Sequence, residues 1–429
     1  MRISSRLNIL SVALLILMPL MSCGARDGVS PALQVSSTGR YFIDRDGKPV
    51  FWQGDTEWEL FHFFTVTDAR SLLEIRRDQG FNVIQVMATG LYREISTKWG
   101  AMKNLKPGEA MPAWLNNDPL APNEEYFKRV DAIVAAAAQC DMILAIGVYH
   151  AGDEDAGRIT VGNAKPWARW LAQRYRHSPN IVWSMYPHAV AASVPVIRAT
   201  VQGLLDGDGG THPITMHPDP SPNSSSFMHG ESWLTFNTLQ TWSTDFVNHD
   251  MVSADYERTP VKPVVNGEAR YEQEDGTTPL QVRRAGYWAC LAGGFYSYGH
   301  RDNWISPWTW RQWCDSPGAL QMKVLGAVFR AMAWWRLVPD QSIIANSAPG
   351  GVAARSADGD WILAYFTGGA SVTLKLSSIT VSNSATGWWI DPRTGNRTRI
   401  GTFPTSESHA FSLPDGWQDA VLLLEKGSD

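Results

Sequence analysis

The chain has 429 residues, of which 44% are hydrophobic and 18% charged, and its formal net charge is −5. These values are typical of a soluble globular protein with more than one domain. The slightly acidic balance, without a long basic run, argues against a nucleic-acid-binding protein. Tryptophan is unusually frequent, at 20 residues. Its large flat rings either fill a core or line a cleft for sugars.

The chain begins with an export signal. Arg2 and Arg6 precede an apolar stretch that is too short for a spanning helix, which predicts a signal peptide over residues 1–22. Residues 20–24 (Leu-Met-Ser-Cys-Gly) are similar to a bacterial lipobox, which implies cleavage before Cys23 and lipid attachment to it. Ordinary secretion is the alternative, because Met21 is an imperfect lipobox residue. We expect an exported bacterial protein, anchored at the cell envelope and touching the membrane only through this lipid.

Apolar runs alternate with helical patterns through the next 300 residues, which predicts a parallel α/β architecture. The predicted strands are Val50–Asp55, Asn82–Ala88, Met142–Tyr149, Asn180–Tyr186, Pro213–His217, Phe236–Trp242, Pro263–Glu268 and Gly294–Tyr298. The predicted helices are Thr67–Gln79 with Thr67 as N-cap, one opened by Asn123, Lys165–Arg176, Ile197–Leu205, Val282–Leu291 and Gln321–Trp335. No helix is evident in the Pro/Ser/Asn-rich segment 219–226. Eight alternations predict a (β/α)8 TIM barrel over residues 30–338.

The sequence pattern changes after Pro339. Short strand-like runs are separated by turn signals such as Asp358-Gly359 and Pro414-Asp415-Gly416. The predicted strands are Trp361–Phe366, Ser371–Leu376, Gly387–Ile390, Arg397–Gly401 and Ala420–Leu424. This pattern predicts a small antiparallel β-sandwich domain over residues 345–429.

Polar side chains mark the ends of the predicted barrel strands, where active-site residues of such barrels lie. In chain order they are Asp55, Gln85, His150, His188, His217, Gln240, Glu268 and His300. A uniform ring of this kind is not expected by chance, although any single member could be a satisfied polar group at a strand–loop junction. Together with Trp and Tyr, these side chains suit a polyhydroxylated substrate.

Other kinds of site receive little support. His150, His217 and His300 are far apart in sequence, and no His-x-His or His-x-x-x-His pair exists, so we predict no metal site and no cofactor. The run Asp153-Glu154-Asp155 could bind calcium but is more typical of a solvated loop. Cys140, Cys290 and Cys314 match no metal motif and demand no disulfide. No Gly-x-Ser-x-Gly elbow and no phosphate loop is present.

Glu268 is the predicted nucleophile of a glycoside hydrolase. It ends the apolar run of strand seven, where a carboxylate needs either a base or a chemical role. Arg270 and Tyr271 are expected to keep it ionised by charge and hydrogen bonding. Glycoside hydrolysis also needs a proton donor near the leaving oxygen. Strand four, the usual source of the donor, ends in Tyr186-Pro187-His188 without a carboxylate.

At these positions the chain resembles the apiosidase-like glycoside hydrolases, whose small C-terminal domain is often labelled as collagen-binding. The matching stretches include Gly54-Asp55-Thr56-Glu57-Trp58, Gly80-Phe81-Asn82-Val83-Ile84-Gln85, Gly267-Glu268-Ala269-Arg270-Tyr271-Glu272, Tyr298-Gly299-His300 and Asp391-Pro392-Arg393-Thr394-Gly395. The resemblance covers nearly the whole mature chain. It implies a (β/α)8 catalytic domain, a retaining mechanism with two carboxylates, and Glu268 as the nucleophile.

The chain departs from the family at the proton donor. The family has an Asp in a Gly-Gly-Asp after strand four, and the matching positions here are Tyr186, Pro187 and His188. Three interpretations stay open. His188 donates the proton, since its ordinary pKa near 6.5 permits this, or a loop carboxylate such as Asp153 or Glu154 does so. In the third interpretation the chain only binds glycans. The bulky residues at 186 and 187 also put a preference for apiose in doubt.

The sequence therefore predicts a glycoside hydrolase that cleaves a polysaccharide or oligosaccharide, with Glu268 and His188 as catalytic residues. The alternative is a non-catalytic glycan-binding relative, and a third reading is adhesion to protein by the C-terminal domain. The residues expected to bind the substrate are Asp55, Trp58, Gln85, His150, Asp153, His217, Gln240, Trp242, Arg270, Tyr271, His300 and Trp304.

Overall fold

The computed structural model describes residues 32–89, 91, 111–151, 157–186, 191–220, 223–346, 348–369 and 371–427. The predicted signal peptide, Cys23, the run 153–155 and His188 lie outside the described residues. Among the residues within these ranges, no helix is long and apolar enough to cross a membrane.

Seven parallel strands form most of a barrel. They are β1 (Gln53–Thr56), β2 (Val83–Met87), β3 (Ile143–His150), β4 (Ile181–Tyr186), β6 (Asn237–Gln240), β7 (Val264–Glu268) and β8 (Phe295–Tyr298). Their order in the sheet is β4-β3-β2-β1-β8-β7-β6. Each begins within three residues of its predicted start, because strands buried on both sides require apolar runs that are visible in the sequence.

The gap between β4 and β6 is filled by residues 213–217, which we call β5. The backbone N–H of Thr215 donates to Trp183 O at 2.8 Å, and that of His217 donates to Met185 O at 2.7 Å. On the other side, Thr235 N–H donates to Ile214 O at 2.9 Å. These bonds close the ring of eight strands, so the predicted (β/α)8 barrel is confirmed.

The barrel helices follow the predicted alternation. They are α1 (Leu60–Phe63), α2 (Val66–Asp78), α3 (Glu124–Gln139), α4 (Val161–Tyr175), α5 (Val194–Asp208), α6 (Ser224–Met228), α7 (Val247–Tyr256), α8 (Pro279–Leu291), α9 (Asp302–Ile305), α10 (Trp310–Trp313) and α11 (Pro317–Arg330).

Four helix predictions need correction. The closing helix, α11, begins at Pro317 and ends at Arg330 rather than at Trp335. The N-cap of α2 is Thr65, whose side chain accepts from Asp68 N–H, so Thr67 lies inside the helix. Helix α4 begins four residues earlier than predicted, because Thr160 and Asn163 form a capping box. A short helix, α6, occupies the segment that was predicted to be loop.

A small antiparallel sheet covers the amino-terminal end of the barrel. Its strands are Gln34–Val35, Phe42–Ile43 and Pro49–Val50. Phe42 is fully buried, with its ring centroid 5.1–5.6 Å from those of Trp52, Phe236 and Phe295. Val50, predicted to begin the first barrel strand, therefore belongs to this sheet, and the open end of the barrel is the opposite, carboxyl end.

The C-terminal domain is antiparallel, as predicted. In spatial order its main sheet contains Leu337–Pro339, Val352–Ser356, Trp361–Phe366, Ala420–Lys426, Ser384–Ile390 and Arg397–Pro404. Ser371–Lys375 pairs with Ser408–Ser412 in a second, two-stranded sheet. The strands Leu337–Pro339, Val352–Ser356 and Ser408–Ser412 were not predicted.

This domain is packed directly against the barrel. Alternate residues of its main sheet, including Leu363 and Leu423, belong to the core of the barrel. At the boundary, Arg283 of α8 forms a buried ion pair with Asp419 at 2.6 Å, and the Tyr287 ring stacks on Tyr365 with centroids 4.5 Å apart. An isolated fragment 345–429 would expose this apolar face, so adhesion by the domain has to be tested in the full chain.

Candidate active site

A cavity of about 230 Å³ opens among the carboxyl ends of the barrel strands. Aromatic and imidazole rings supply half of its lining residues, and a few polar side chains converge on it, as in many small-ligand sites. The lining residues are Trp58, Met87, Leu91, His150, Tyr186, His217, Pro218, Asp219, Pro220, Gln240, Trp242, Glu268, Tyr271 and Trp304.

Glu268 projects from the last position of β7 into this wall, where its side chain is 10% exposed. The preceding Gly267 permits this arrangement, because a Cβ there would lie 2.7 Å from Thr238 Cγ2 and 3.1 Å from His217 Cδ2. Gln85 secures the same point from β2, since its Nε2 donates to Gly267 O at 2.8 Å. The end of β7 is therefore held on both sides.

A short relay of hydrogen bonds orients the Glu268 carboxyl group. The Trp58 indole N–H donates to the Tyr271 hydroxyl at 2.8 Å, and that hydroxyl donates to Glu268 Oε1 at 2.5 Å. All three side chains are buried. The relay fixes one carboxyl oxygen and leaves the other, Oε2, directed towards His217.

The Glu268 carboxyl group is poorly compensated for its burial. Desolvation raises its pKa to about 8, the Tyr271 hydrogen bond opposes this shift, and the charge of Glu274 adds to it. Burial also lowers the pKa of His217 to about 3. At neutral pH these shifts favour the uncharged form of each group.

The contact between these two groups is consistent with that state. His217 Nε2 lies 3.3 Å from Glu268 Oε2, while Nδ1 lies 3.3 Å from Pro218 O. Because Nδ1 has only an acceptor beside it, we assign the proton to Nδ1, which leaves Nε2 as an acceptor. Nε2 makes no hydrogen bond among the described residues, so its approach to Oε2 is a contact between two neutral groups rather than an ion pair.

Arg270 does not keep Glu268 ionised, contrary to the prediction. Its Nη1 donates to Asp275 at 2.8 Å, and its guanidinium lies 5.0 Å from the centroid of the Trp242 ring. The chain leaves β7 after Glu268, so Arg270 turns away from the cavity and supports Trp242 from behind. Trp242 has a positive φ of 46°, which is unusual for a bulky residue and marks a constrained position.

Aromatic and imidazole rings pack around the cavity. The centroid of the Tyr186 ring lies 4.4 Å from that of His217 and 6.0 Å from that of His150, both in stacked arrangements. Trp58 meets Tyr186 edge to face at 5.1 Å, and Trp242 meets Tyr271 in the same way at 5.6 Å. These faces offer flat, apolar contact surfaces for sugar rings.

Three other predicted residues lie outside the lining, and the prediction that they face the cleft needs correction. Asp55 is fully buried in an ion pair with Arg76. Gln85 lies beneath the cavity in its contact with Gly267. His300 accepts a hydrogen bond from Asp302 N–H at 3.1 Å, and its ring stacks on Trp313 at 5.5 Å.

The structure brings eight of the predicted residues together in the cavity wall. They are Trp58, His150, His217, Gln240, Trp242, Glu268, Tyr271 and Trp304. It also places Tyr186 and Asp219 there, neither of which was predicted to bind the substrate. Asp219 lies two residues beyond β5, and the strand-end rule stops at the first polar residue, His217. Within the described ranges, no group of His, Cys, Asp and Glu is arranged to hold a metal ion.

Two solved structures with the same architecture are described as glycoside hydrolases. One called "Glycoside hydrolase" is 25% identical with a TM-score of 0.79, and the alignment covers 93% of this chain and 98% of that one. A glycoside hydrolase family 5 protein from Bacteroides vulgatus ATCC 8482 is 24% identical with a TM-score of 0.79, covering 92% of this chain and 93% of its own. No curated protein matches the chain by sequence.

Family models account for both domains. Residues 338–425 match the model described as "Putative collagen-binding domain of a collagenase". Residues 36–336 match the model described as "Apiosidase-like, catalytic domain", which spans more than half of the chain and the whole barrel. The resemblance seen in the sequence is therefore confirmed, and the chain belongs to the apiosidase-like family of glycoside hydrolases.

Proposed function

We propose that this protein hydrolyses glycosidic bonds in a polysaccharide or oligosaccharide, with Glu268 as the nucleophile. The observation that supports this best is the position of Glu268: a carboxyl group on the wall of an aromatic cavity, held by the Tyr271 hydroxyl at 2.5 Å and otherwise facing the space where a ligand fits. Its family membership gives the same reaction class.

The chemistry follows from this environment. Glu268 must attack the anomeric carbon as a carboxylate, so the proton that burial favours on it has to pass to solvent before the attack. A sugar that develops positive charge at the anomeric carbon favours the ionised form. Tyr271 stabilises the carboxylate again when it departs in the second step.

The proposal does not specify which sugar is cleaved. Tyr186 replaces a family glycine, and Gly147 makes room for it, because a Cβ at Gly147 would lie 2.9 Å from Tyr186 Cε2. This ring narrows the floor of the cavity, so the substrates tested should not be limited to apiosides. The predicted binding role of Asp153 and the predicted proton donor His188 stay proposals, because both residues lie outside the described ranges.

The test compares Glu268→Gln with Glu257→Gln, an exposed glutamate at the end of α7. Both are assayed on plant and microbial polysaccharides and on nitrophenyl glycosides of pentoses, apiose included, and of hexoses. We expect the wild type and Glu257→Gln to hydrolyse the same substrate. Glu268→Gln should lose on the order of 10⁴-fold in kcat or more, as nucleophile variants do.

The main alternative is a glycan-binding relative without activity, which the replacement of the family's Asp by His188 favours. Calorimetric titration of the same polysaccharides distinguishes the two. Saturable binding by the wild type and by Glu268→Gln, with no turnover of any substrate, would support the alternative and reject hydrolysis.

We also propose that the protein is exported and lipid-anchored through Cys23. Metabolic labelling with a radioactive fatty acid should mark the wild type and not Cys23→Ala. Labelling of neither form, with the protein in the medium, would point to ordinary secretion instead.

A further inference from the structure

One carboxylate in the cavity wall has no role in the proposal so far. Asp219 lines the same cavity as Glu268 but is exposed, whereas Glu268 is buried. Within the described ranges, these two are the carboxylates that line the cavity. Glycoside hydrolysis requires a second group that transfers a proton at the leaving oxygen. The family's residue for this task is replaced by His188.

The backbone around Asp219 is unusually constrained. Pro218 and Pro220 flank it, and both line the cavity. A proline fixes its own φ, and the residue before a proline is confined to extended conformations. Asp219 is therefore presented from a stiff segment, although it lies outside any regular strand. Little backbone conformational entropy is lost when Asp219 meets a ligand.

His217, two residues before Asp219, relates Asp219 to the nucleophile. His217 lies in contact with Glu268 through Nε2 and Oε2 at 3.3 Å. Asp219 follows two residues later and lines the same cavity, which has a volume of about 230 Å³. Both carboxyl groups therefore border the space that a glycosidic bond would occupy, as the mechanism of glycoside hydrolysis requires.

We propose that Asp219 transfers the proton at the glycosidic oxygen; this rests on the proposed hydrolase function. In the first step, Glu268 forms a bond to the anomeric carbon, the bond to the leaving oxygen breaks, and that oxygen takes the proton of Asp219. In the second step, Asp219 takes a proton from water, the water oxygen bonds to the anomeric carbon, and Glu268 leaves as carboxylate. The sum is hydrolysis with Asp219 protonated again.

The test uses the full chain and two substrates of one sugar that differ in leaving group. The first is a polysaccharide or alkyl glycoside, whose leaving oxygen needs a proton, and the second is a 2,4-dinitrophenyl glycoside, whose leaving group does not. We compare Asp219→Asn and Asp219→Gly with Asp415→Asn. Asp415 is also exposed and preceded by proline, but it lies in a turn of the C-terminal domain.

For Asp219→Asn we expect kcat/KM to fall about 10² to 10⁴-fold on the first substrate and less than about tenfold on the second. Sodium azide should accelerate Asp219→Gly on the dinitrophenyl glycoside and yield a glycosyl azide, detected by NMR. Asp415→Asn should match the wild type on both substrates.

Other outcomes overturn the proposal in distinguishable ways. An unchanged Asp219→Asn, or an equal loss on both substrates without azide rescue, rejects proton transfer by Asp219 while leaving the hydrolase function intact. A leaving-group-dependent loss in Glu268→Gln rather than in Asp219→Asn reverses the two roles. If the wild type hydrolyses neither substrate for any sugar, the hydrolase function and the role of Asp219 both fail.

Discussion

Glu268 and Glu272 stand four residues apart, and both are buried, yet their surroundings differ in kind. Glu272 lies beside β8, away from the cavity, and its oxygens accept hydrogen bonds from the Tyr298 hydroxyl at 2.5 Å, the Ser316 hydroxyl at 2.8 Å and Gly318 N–H at 3.0 and 3.1 Å. Among the residues that the structure describes, Glu268 has one donor, the Tyr271 hydroxyl, and a histidine ring beside its second oxygen.

The comparison separates a structural carboxylate from one available for chemistry. A carboxylate that accepts from several donors joins its own segment to the elements that supply them, here the loop after β7 to β8 and the beginning of α11. A carboxylate that is buried with a single donor pays for desolvation without full compensation, which is why its pKa is raised. Such a group stays reactive towards a ligand, at a cost in stability.

The largest difference is expected when each glutamate is replaced by glutamine. Glu272→Gln loses a charge that accepts several hydrogen bonds and places an amide donor among other donors. We expect a loss of about 3 kcal/mol in the free energy of unfolding. Urea denaturation measures this loss, and the folded variant should retain activity within a few-fold. A Glu272→Gln protein of wild-type stability but without activity would contradict the structural assignment.

Glu268→Gln should have the opposite effect on stability, and the effect should depend on pH. Between its ordinary pKa of 4.5 and the folded value of about 8, Glu268 loses its proton on unfolding but keeps it in the native state. The stability of the wild type therefore falls as pH rises through this window. Glutamine does not titrate. The free energy of unfolding of Glu268→Gln, relative to that of the wild type, should therefore increase by on the order of 2 kcal/mol between pH 5 and pH 8.

Urea denaturation at both pH values checks this expectation, with Glu257→Gln as the exposed control. Glu274, whose pKa is raised to about 7 by burial, titrates in all three proteins, so Glu257→Gln shows its contribution to the pH dependence. Parallel stability curves for the wild type and Glu268→Gln would show that Glu268 is ionised throughout.

A glycine gives a finer test of the structural site. A Cβ at Gly318 would lie 2.4 Å from Glu272 Oε2, although the backbone there is helical and would accept alanine. Gly318→Ala should therefore cost about 1.5 kcal/mol by displacing the carboxylate. Gly162 occupies the same second position of helix α4, with its nearest contact at 3.8 Å. Gly162→Ala should stabilise the protein by about 0.5 kcal/mol.

Thermal unfolding of both alanine variants measures the two effects. Equal stabilisation by Gly318→Ala and Gly162→Ala would mean that the Glu272 carboxylate moves aside without loss of stability. Its hydrogen bonds would then hold it less firmly than their distances indicate.

The fold could largely be predicted from the sequence, because buried parallel strands and amphipathic helices have patterns of their own. The exceptions have local causes. The helix α6 is built from Ser and Asn, which are as typical of loops as of helix starts. The strand Val352–Ser356 contains two alanines and an arginine, so its burial depends on the neighbouring strands rather than on its own hydrophobicity.

The site could be predicted only in part. The strand-end rule placed Glu268 and His217 in one cavity, but it could not tell that Asp55 and His300 face elsewhere. The direction of each side chain depends on how the strands tilt and stagger when the barrel closes. Asp219 was missed because it depends on the path of a Pro-Asp-Pro loop, and Arg270 was misplaced because the chain leaves β7 just before it.

The smallest expected effect concerns the single donor to Glu268. Tyr271→Phe removes the hydroxyl that holds Oε1, so the carboxylate should be less well oriented for attack and less stabilised when it leaves. We expect kcat to fall about tenfold, equivalent to about 1.4 kcal/mol of lost transition-state stabilisation, with KM nearly unchanged. The control is Tyr287→Phe, whose hydroxyl is buried outside the cavity without a hydrogen-bond partner among the described residues. Equal kcat values for the two variants would show that the Tyr271 hydroxyl packs beside Glu268 without assisting it. The hydrogen bond from Tyr271 would then play no part in the difference between Glu268 and Glu272.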